Sequence, residues 1–248
     1  RFNNCFMGFE KKRQEPLLDI MKILEPEVPI HVKSSTVLRA HLMPKFGPAP
    51  WLDRTGAESV VEGLSDSGEI TSEQRLISEK WIEDGYAILP GLYSNNQIDQ
   101  TWEEYEKLIA DGTIVTEPIK HGFPGRYLNP HLHSHSVRRV MADEKLLSVL
   151  SFLMGVKTNP FQSIIGHRAS EQKTHSDSIH MTTYPNGYMI AAWIAFEDIH
   201  LDSGPLVYYP GSHKLPYVFS KDVGISFEEV NESPNDLYLP YREKYEPW

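Results

Sequence analysis

The sequence predicts an α+β domain in which helices pack against a β-core. Two patterns carry this. Capped amphipathic helix signals fill the stretch from Thr71 to Gly155. From Pro160 onward the signals are those of strands and turns, with a near-continuous apolar run at Tyr188–Phe196 (YMIAAWIAF). Helices first and strands afterwards is the order of an α+β chain, in contrast to the alternation of a parallel α/β fold.

The elements follow in order. Residues 1–68 read as an extension packed on the core, and residues 69–248 as the main domain. Leu17–Leu24 (LLDIMKIL) predicts a short amphipathic helix between Pro16 and Pro26. Prolines at 29, 44, 48 and 50, with glycines at 47, 56, 63 and 68, then predict loops and extended segments. Met43–Trp51 (MPKFGPAPW) has the composition of a groove ligand, but its apolar flanks suit an ordered arm better. Thr71, with Gln74 three residues on, is a capping box for a helix carrying Leu76, Ile77 and Trp81 and stopping near Gly85. Tyr86–Pro90 reads as a short buried strand. Asn95 or Asn96 caps a second helix through Ile98, Trp102, Tyr105, Leu108 and Ile109, ended by Gly112. A third runs from Asp143 to Met154, with Leu146, Leu147, Leu150 and Leu153 on one face and Gly155 at its end.

The net charge of -10 argues against nucleic acid as a partner, because phosphate binding needs a basic surface. It leaves room for a small anion in a local basic pocket. Cys5 is the single cysteine, so no internal disulfide forms, and this usage suits the cytoplasm. No apolar run approaches the roughly 20 residues that span a bilayer, so a membrane partner is not expected. The start (RFNNCFMGFEKKRQ) lacks Met and a signal-type apolar core, and the end (REKYEPW) carries no address, so both ends are expected to be cut. Oligomeric state is not legible.

His131, His133 and His135 alternate in NPHLHSHS. On a strand the outer two would lie about 13 Å apart, too far for one ion whose ligands sit near 2 Å. Asn129, Pro130 and the serines point to a loop that at most rims a pocket. His121 and His167 carry no pattern, His180 suits packing and His200 the surface.

The chemistry centres on His175 and Asp177, one residue apart. In an extended backbone such side chains point the same way, and an imidazole with a carboxylate is two thirds of the 2-His-1-carboxylate facial triad of non-haem iron oxygenases. Around the pair, Phe161–Arg168 reads as a strand and Ala169–Lys173 as a polar loop. Tyr184–Tyr188 (YPNGY) is a turn, Tyr188–Phe196 a strand buried on both faces, and Pro205–Tyr209 a further strand closed by Pro210–His213. A tight hairpin at Asn186-Gly187 would pair 178–184 with 188–194 and turn Trp193 away from His175 and Asp177. A crossing loop over 178–187 is preferred.

His175-Ser-Asp177, the apolar run with Trp193, Asp202-Ser-Gly-Pro205-Leu and Pro210-Gly-Ser-His-Lys214 together resemble the phytanoyl-CoA dioxygenase family. Phe161-Gln-Ser163 and Gly85–Gly91 (GYAILPG) are also similar to family segments, and the resemblance spans Thr71 to about Lys214. These are Fe(II)/2-oxoglutarate-dependent oxygenases, with ectoine hydroxylase a relative. The resemblance implies a double-stranded β-helix, a cupin-like jelly roll buttressed by N-terminal helices. It implies His175 and Asp177 as iron ligands, Gln162 and Trp193 as 2-oxoglutarate contacts, and O2 as co-reactant. The implied reaction hydroxylates a C–H bond of a small molecule and releases succinate and CO2.

The family's third ligand is a later histidine followed by an arginine. After His213 this chain has no histidine, and its only arginine is Arg242. The third ligand is therefore expected beyond Trp248, leaving the jelly-roll domain incomplete at its C-terminus. His213, which belongs to a turn in the family, is the lesser alternative. Asp177 separates the chain from related halogenases, where a small residue replaces the carboxylate. Two other readings stay open: a Zn or Mn cupin-type hydrolase or isomerase using the same mixed ligands, and a catalytically inactive binding member of the fold. The substrate is not legible, and no basic cluster suggests a CoA nucleotide.

Overall fold

The computed structural model describes residues 31–33, 49–115, 125–166, 174–179, 182–184, 187–218, 222 and 224. The expected helix at Leu17–Leu24, the loop at Ala169–Lys173, most of Met43–Trp51, and His121, His167, His180 and Arg242 lie outside the described residues.

Among them, the α-helices are α1 (Ala57–Asp66), α2 (Ser72–Asp84), α3 (Asn95–Ala110), α4 (His135–Met141) and α5 (Glu144–Met154). Strand β1 (His31–Lys33) pairs antiparallel with β4 (Thr182–Tyr184), and β2 (Arg126–Leu128) with β3 (Ile164–Gly166). These two ladders form separate two-stranded sheets.

The capping box at α2 forms as the spacing predicts. Thr71 Oγ1 accepts the Gln74 N–H at 3.1 Å, while Gln74 Oε1 accepts the Thr71 N–H at 2.8 Å. Such a cap stabilises a helix by about 1 kcal/mol. At α3 the cap is Ser94, ahead of the asparagines, because Ser94 and Gln97 make a second capping box. In α5, Asp143 caps the N–H groups of Lys145 and Leu146. Its buried stripe is Leu146, Val149, Phe152 and Leu153. Leu147 and Leu150 are only half-buried, because the 3.6-residue period runs through Val149.

Helices α1 and α4 were not legible, since glycines obscured the first and the loop-like residues around three histidines the second. Helix α1 buries Ala57 and Val61 in one cluster with Trp51, Leu52, Ile70, Ile82, Val149, Phe152 and Leu153. A boundary after residue 68 thus falls between helices that share a core. Trp51 anchors this cluster: its Nε1–H donates to the Phe152 carbonyl at 2.7 Å, and its ring meets Phe152 edge-on at 5.5 Å. Gly155, at φ 68°, lies so close that an added Cβ would be 2.7 Å from Trp51 Cδ1.

A second cluster joins Tyr105, Ile114, Val137 and Ile165, with Trp102 and Tyr127 packed against it. It seats one face of the β2–β3 ladder on α3 and α4. Ile165 is 8% exposed and its neighbour Ile164 52%, the alternation of a sheet with one covered face.

The strand half departs from expectation. Tyr86–Pro90 is not a buried strand; Ile88 is 75% exposed. Neither Tyr188–Phe196 nor Pro205–Tyr209 forms a strand, and residues 191–193 are exposed. An extended segment becomes a strand only by hydrogen bonding to a neighbour, and among the described residues neither has one. The paired sheets of a jelly roll are therefore not assembled among them. Asn186 lies outside the described residues; the ladder partner of β4 is β1 from the N-terminal stretch. The Tyr188 N–H bonds Thr183 Oγ1 at 2.8 Å. No described helix is long and apolar enough to cross a membrane.

Candidate functional site

His175 stands just before a 3-10 turn that begins at Asp177 (Asp177–Ile179). The expected extended presentation is replaced by this turn, which the hydroxyls of Ser176 and Ser178 tighten by bonding at 2.8 Å. The pair nevertheless converges: His175 Nε2 lies 3.5 Å from Asp177 Oδ1. Ligands about 2.1 Å from a common ion can lie up to about 4 Å apart, so the separation fits one shared ion. An imidazole nitrogen with a carboxylate oxygen suits Fe(II), Zn or Mn. His175 is 23% exposed and Asp177 65%, so the pair is open on the carboxylate side. Among the described residues no group of three or more His, Cys, Asp or Glu stands ready for an ion. The donor set fits as far as these two ligands go.

Gln162 is half-buried, next to Ser163, whose carbonyl accepts the Asn129 N–H at 2.7 Å. Trp193 is 58% exposed on the unpaired segment. The structure brings His175 and Asp177 together; it joins neither Gln162 nor Trp193 to them by a hydrogen bond or ring contact among the described residues.

His213 lies elsewhere. It sits in the 3-10 turn Ser212–Lys214, against the C-terminal end of α2. The Gly211 N–H donates to the Asp84 carbonyl at 2.9 Å, and Tyr208 OH to the Gly85 carbonyl at 3.1 Å. The Tyr86 and Tyr208 rings meet edge-on at 5.0 Å. The His213 ring occupies the space a Cβ on Gly85 would need, and Gly85 has φ 81°. Among the described residues His213 Nδ1 is buried without a hydrogen-bond partner. Burial pushes the nearby Asp53 carboxyl above its ordinary value, with His213 pulling it back down. His213 is not grouped with His175 and Asp177 among the described residues.

The alternating histidines separate in the same way. His131 lies in the 3-10 turn Pro130–Leu132, His133 follows it, and His135 opens α4 behind its Ser134 cap. Ser134 ahead of an apolar-periodic HSVRRVM was the signal that would have found this helix. Glu104 of α3 accepts the His135 N–H at 2.7 Å and the Ser136 N–H at 3.0 Å, holding the N-terminus of α4. His200 is exposed ahead of the 3-10 turn Leu201–Ser203.

An imidazole nitrogen and a carboxylate oxygen 3.5 Å apart make His175 and Asp177 a candidate metal-binding pair. The phytanoyl-CoA dioxygenase (PhyH) family profile matches residues 81–246, about two thirds of the chain, and the chain belongs to that family. Similar curated proteins are the ectoine dioxygenases. That of Sphingopyxis alaskensis is 28% identical over 176 residues, covering 66% of this chain and 54% of the relative. That of Stutzerimonas stutzeri is 28% identical over 149 residues, 55% of this chain and 49% of the relative. That of Halomonas elongata is 26% identical over 183 residues, 67% of this chain and 52% of the relative. The chain thus spans about half the length of these relatives. No solved structure matches it.

Proposed function

We propose that this chain carries the first half of the active centre of an Fe(II)- and 2-oxoglutarate-dependent dioxygenase. The reaction converts R–H, O2 and 2-oxoglutarate into R–OH, succinate and CO2. The observation that carries this reading is the 3.5 Å convergence of His175 Nε2 and Asp177 Oδ1 within the segment matched by the PhyH profile. His175 and Asp177 would hold the iron, with a third histidine beyond Trp248. Bound there, the iron supplies oxygen activation coupled to oxidative decarboxylation of 2-oxoglutarate. The protein's part is orientation. His175 is mostly enclosed, which fixes its ring, while the more open Asp177 side leaves approach for small molecules. Gln162 and Trp193 would line the cosubstrate, and Asp177 favours hydroxylation over halogenation. The lone Cys5 supports a reducing compartment such as the cytoplasm for this reaction.

The test is succinate formation from 2-oxoglutarate by the full-length protein with Fe(II), and its loss on chelation. Ectoine, after which the relatives are named, is the first substrate to assay. Iron-independent turnover, or bound zinc or manganese with no use of 2-oxoglutarate, would overturn the reading.

A further inference from the structure

The NPHLHSHS stretch finds a role in the structure that its spacing did not suggest. The β2–β3 ladder runs through the pairs Arg126↔Gly166, Tyr127↔Ile165 and Leu128↔Ile164. It extends one step further, where the Asn129 N–H donates to the Ser163 carbonyl at 2.7 Å. Asn129 then adopts φ 59°, the left-handed region that asparagine tolerates. This bend swings the 3-10 turn Pro130–Leu132 back over Ser163. His131 bonds the Ser163 hydroxyl twice, through its ring Nδ1 at 2.7 Å and its backbone N–H at 3.4 Å. His131 is itself held from behind: Arg138 Nε of α4 donates to its carbonyl at 3.1 Å. A chain of contacts therefore runs from α4 through His131 to Ser163, the residue beside Gln162.

Side-chain alternation says where this leads. Ile165 faces the helical cluster and Ile164 faces out, so continuing the pleat puts Ser163 on the covered side and Gln162 on the open one. Ser163 is pinned through both its carbonyl and its hydroxyl. Gln162 is the next residue along, and among the described residues no ladder bond fixes it.

We propose that His131 is a positioning residue: by clamping the Ser163 hydroxyl it fixes the backbone that aims Gln162 at the cosubstrate. This rests on the dioxygenase reading above. His131→Ala leaves Ser163 Oγ with the weaker backbone contact alone, and a misplacement of about 1 Å can reduce productive binding by up to about a hundredfold.

The experiment uses the full-length protein. His131→Ala and Ser163→Ala should each raise KM for 2-oxoglutarate by about tenfold or more while changing kcat little. His131→Gln, which keeps a hydrogen-bonding group, should recover part of the loss. In a Gln162→Ala background His131→Ala should add nothing further to KM, the signature of two residues acting through one contact. Independently of turnover, amide exchange across 161–166 should quicken in His131→Ala. Wild-type turnover with KM unchanged in both single variants, with effects additive to Gln162→Ala, or with unaltered exchange, overturns the role of His131 alone. Failure of the wild-type protein to use 2-oxoglutarate overturns the dioxygenase reading and takes this role with it.

Discussion

The helical half and the strand half of this chain treat their apolar side chains in opposite ways. Trp51, Tyr105 and Phe152 are 2%, 0% and 1% exposed, whereas Trp193, Leu206 and Val207 are 58%, 64% and 68% exposed. The two groups do not differ in hydrophobicity. A helix closes its hydrogen bonds inside one segment, so a short stretch of sequence suffices to build it and present a face. A strand is completed only by another strand, often distant in the chain. The candidate site sits in the half that cannot complete itself locally, and its geometry depends on where that half is fastened to the helices. Fastenings among the described residues include the packing of Tyr188 on Met154 and Val156, the clamp of His131 on Ser163, and the docking of Gly211 and Tyr208 on the end of α2.

The largest expected effect lies in the helical half. Trp51→Ala removes a buried indole, its 2.7 Å hydrogen bond and its edge contact with Phe152. It should cost about 3–5 kcal/mol of stability, measured by urea unfolding. A cost under about 0.5 kcal/mol, the usual limit for a surface change, would mean that the arm around Trp51 is dispensable to the core.

Next come the paired ligands. His175→Ala or Asp177→Ala should lower Fe(II)-dependent succinate formation by at least about a hundredfold, since even outer-shell changes at metal sites cost 10–100-fold. Neither should lower the thermal midpoint as far as Trp51→Ala does, because Asp177 is 65% exposed and neither residue is in the buried clusters around Trp51 and Tyr105. A midpoint drop comparable to that of Trp51→Ala, with activity retained, would make the pair a structural contact.

What was legible follows the same division. The capping box at Thr71, the stop at Gly85 and the run from Asp143 to Gly155 were all readable, because each signal acts within one helical turn of its effect. Ser94 was overlooked beside two asparagines, although the Ser-x-x-Gln spacing decided the matter. Helix α4 was hidden because Asn129, Pro130 and the serines around the histidines read as a loop. The apolar runs 188–196 and 205–209 were read as strands on hydrophobicity alone, which cannot name a partner. The convergence of His175 and Asp177 was readable from spacing, yet a 3-10 turn achieves it where a pleat was expected.

The joint between the halves can be probed at Gly85. Its φ of 81° costs a residue with a side chain roughly 1–2 kcal/mol, and the new Cβ would also collide with the His213 ring. Gly85→Ala should therefore destabilise by more than the backbone term. His213→Ala in that background should return the difference by opening the space, so the two changes couple in a double-mutant cycle. Strict additivity would show that the turn at 210–214 is not held by this contact.

The smallest effect separates local from long-range fastening by pH. Burial alone would raise the Glu104 carboxyl. Hydrogen bonds from the Ser136 side chain and the His135 and Ser136 N–H groups, with Ser134 adding to them, together hold it below its ordinary value of 4.5. A carboxyl depressed in the folded state contributes stability that is present above the unfolded value and lost as pH falls through the folded one. A carboxylate at a helix N-terminus stabilises by about 0.3–1 kcal/mol, so the wild-type advantage over Glu104→Gln should be of that size at neutral pH. It should shrink below about pH 4.5 and vanish in stronger acid, as read from unfolding midpoints of the two proteins across pH. An advantage that stays constant through this range would mean that the shape of the side chain, and not its charge, ties α3 to α4.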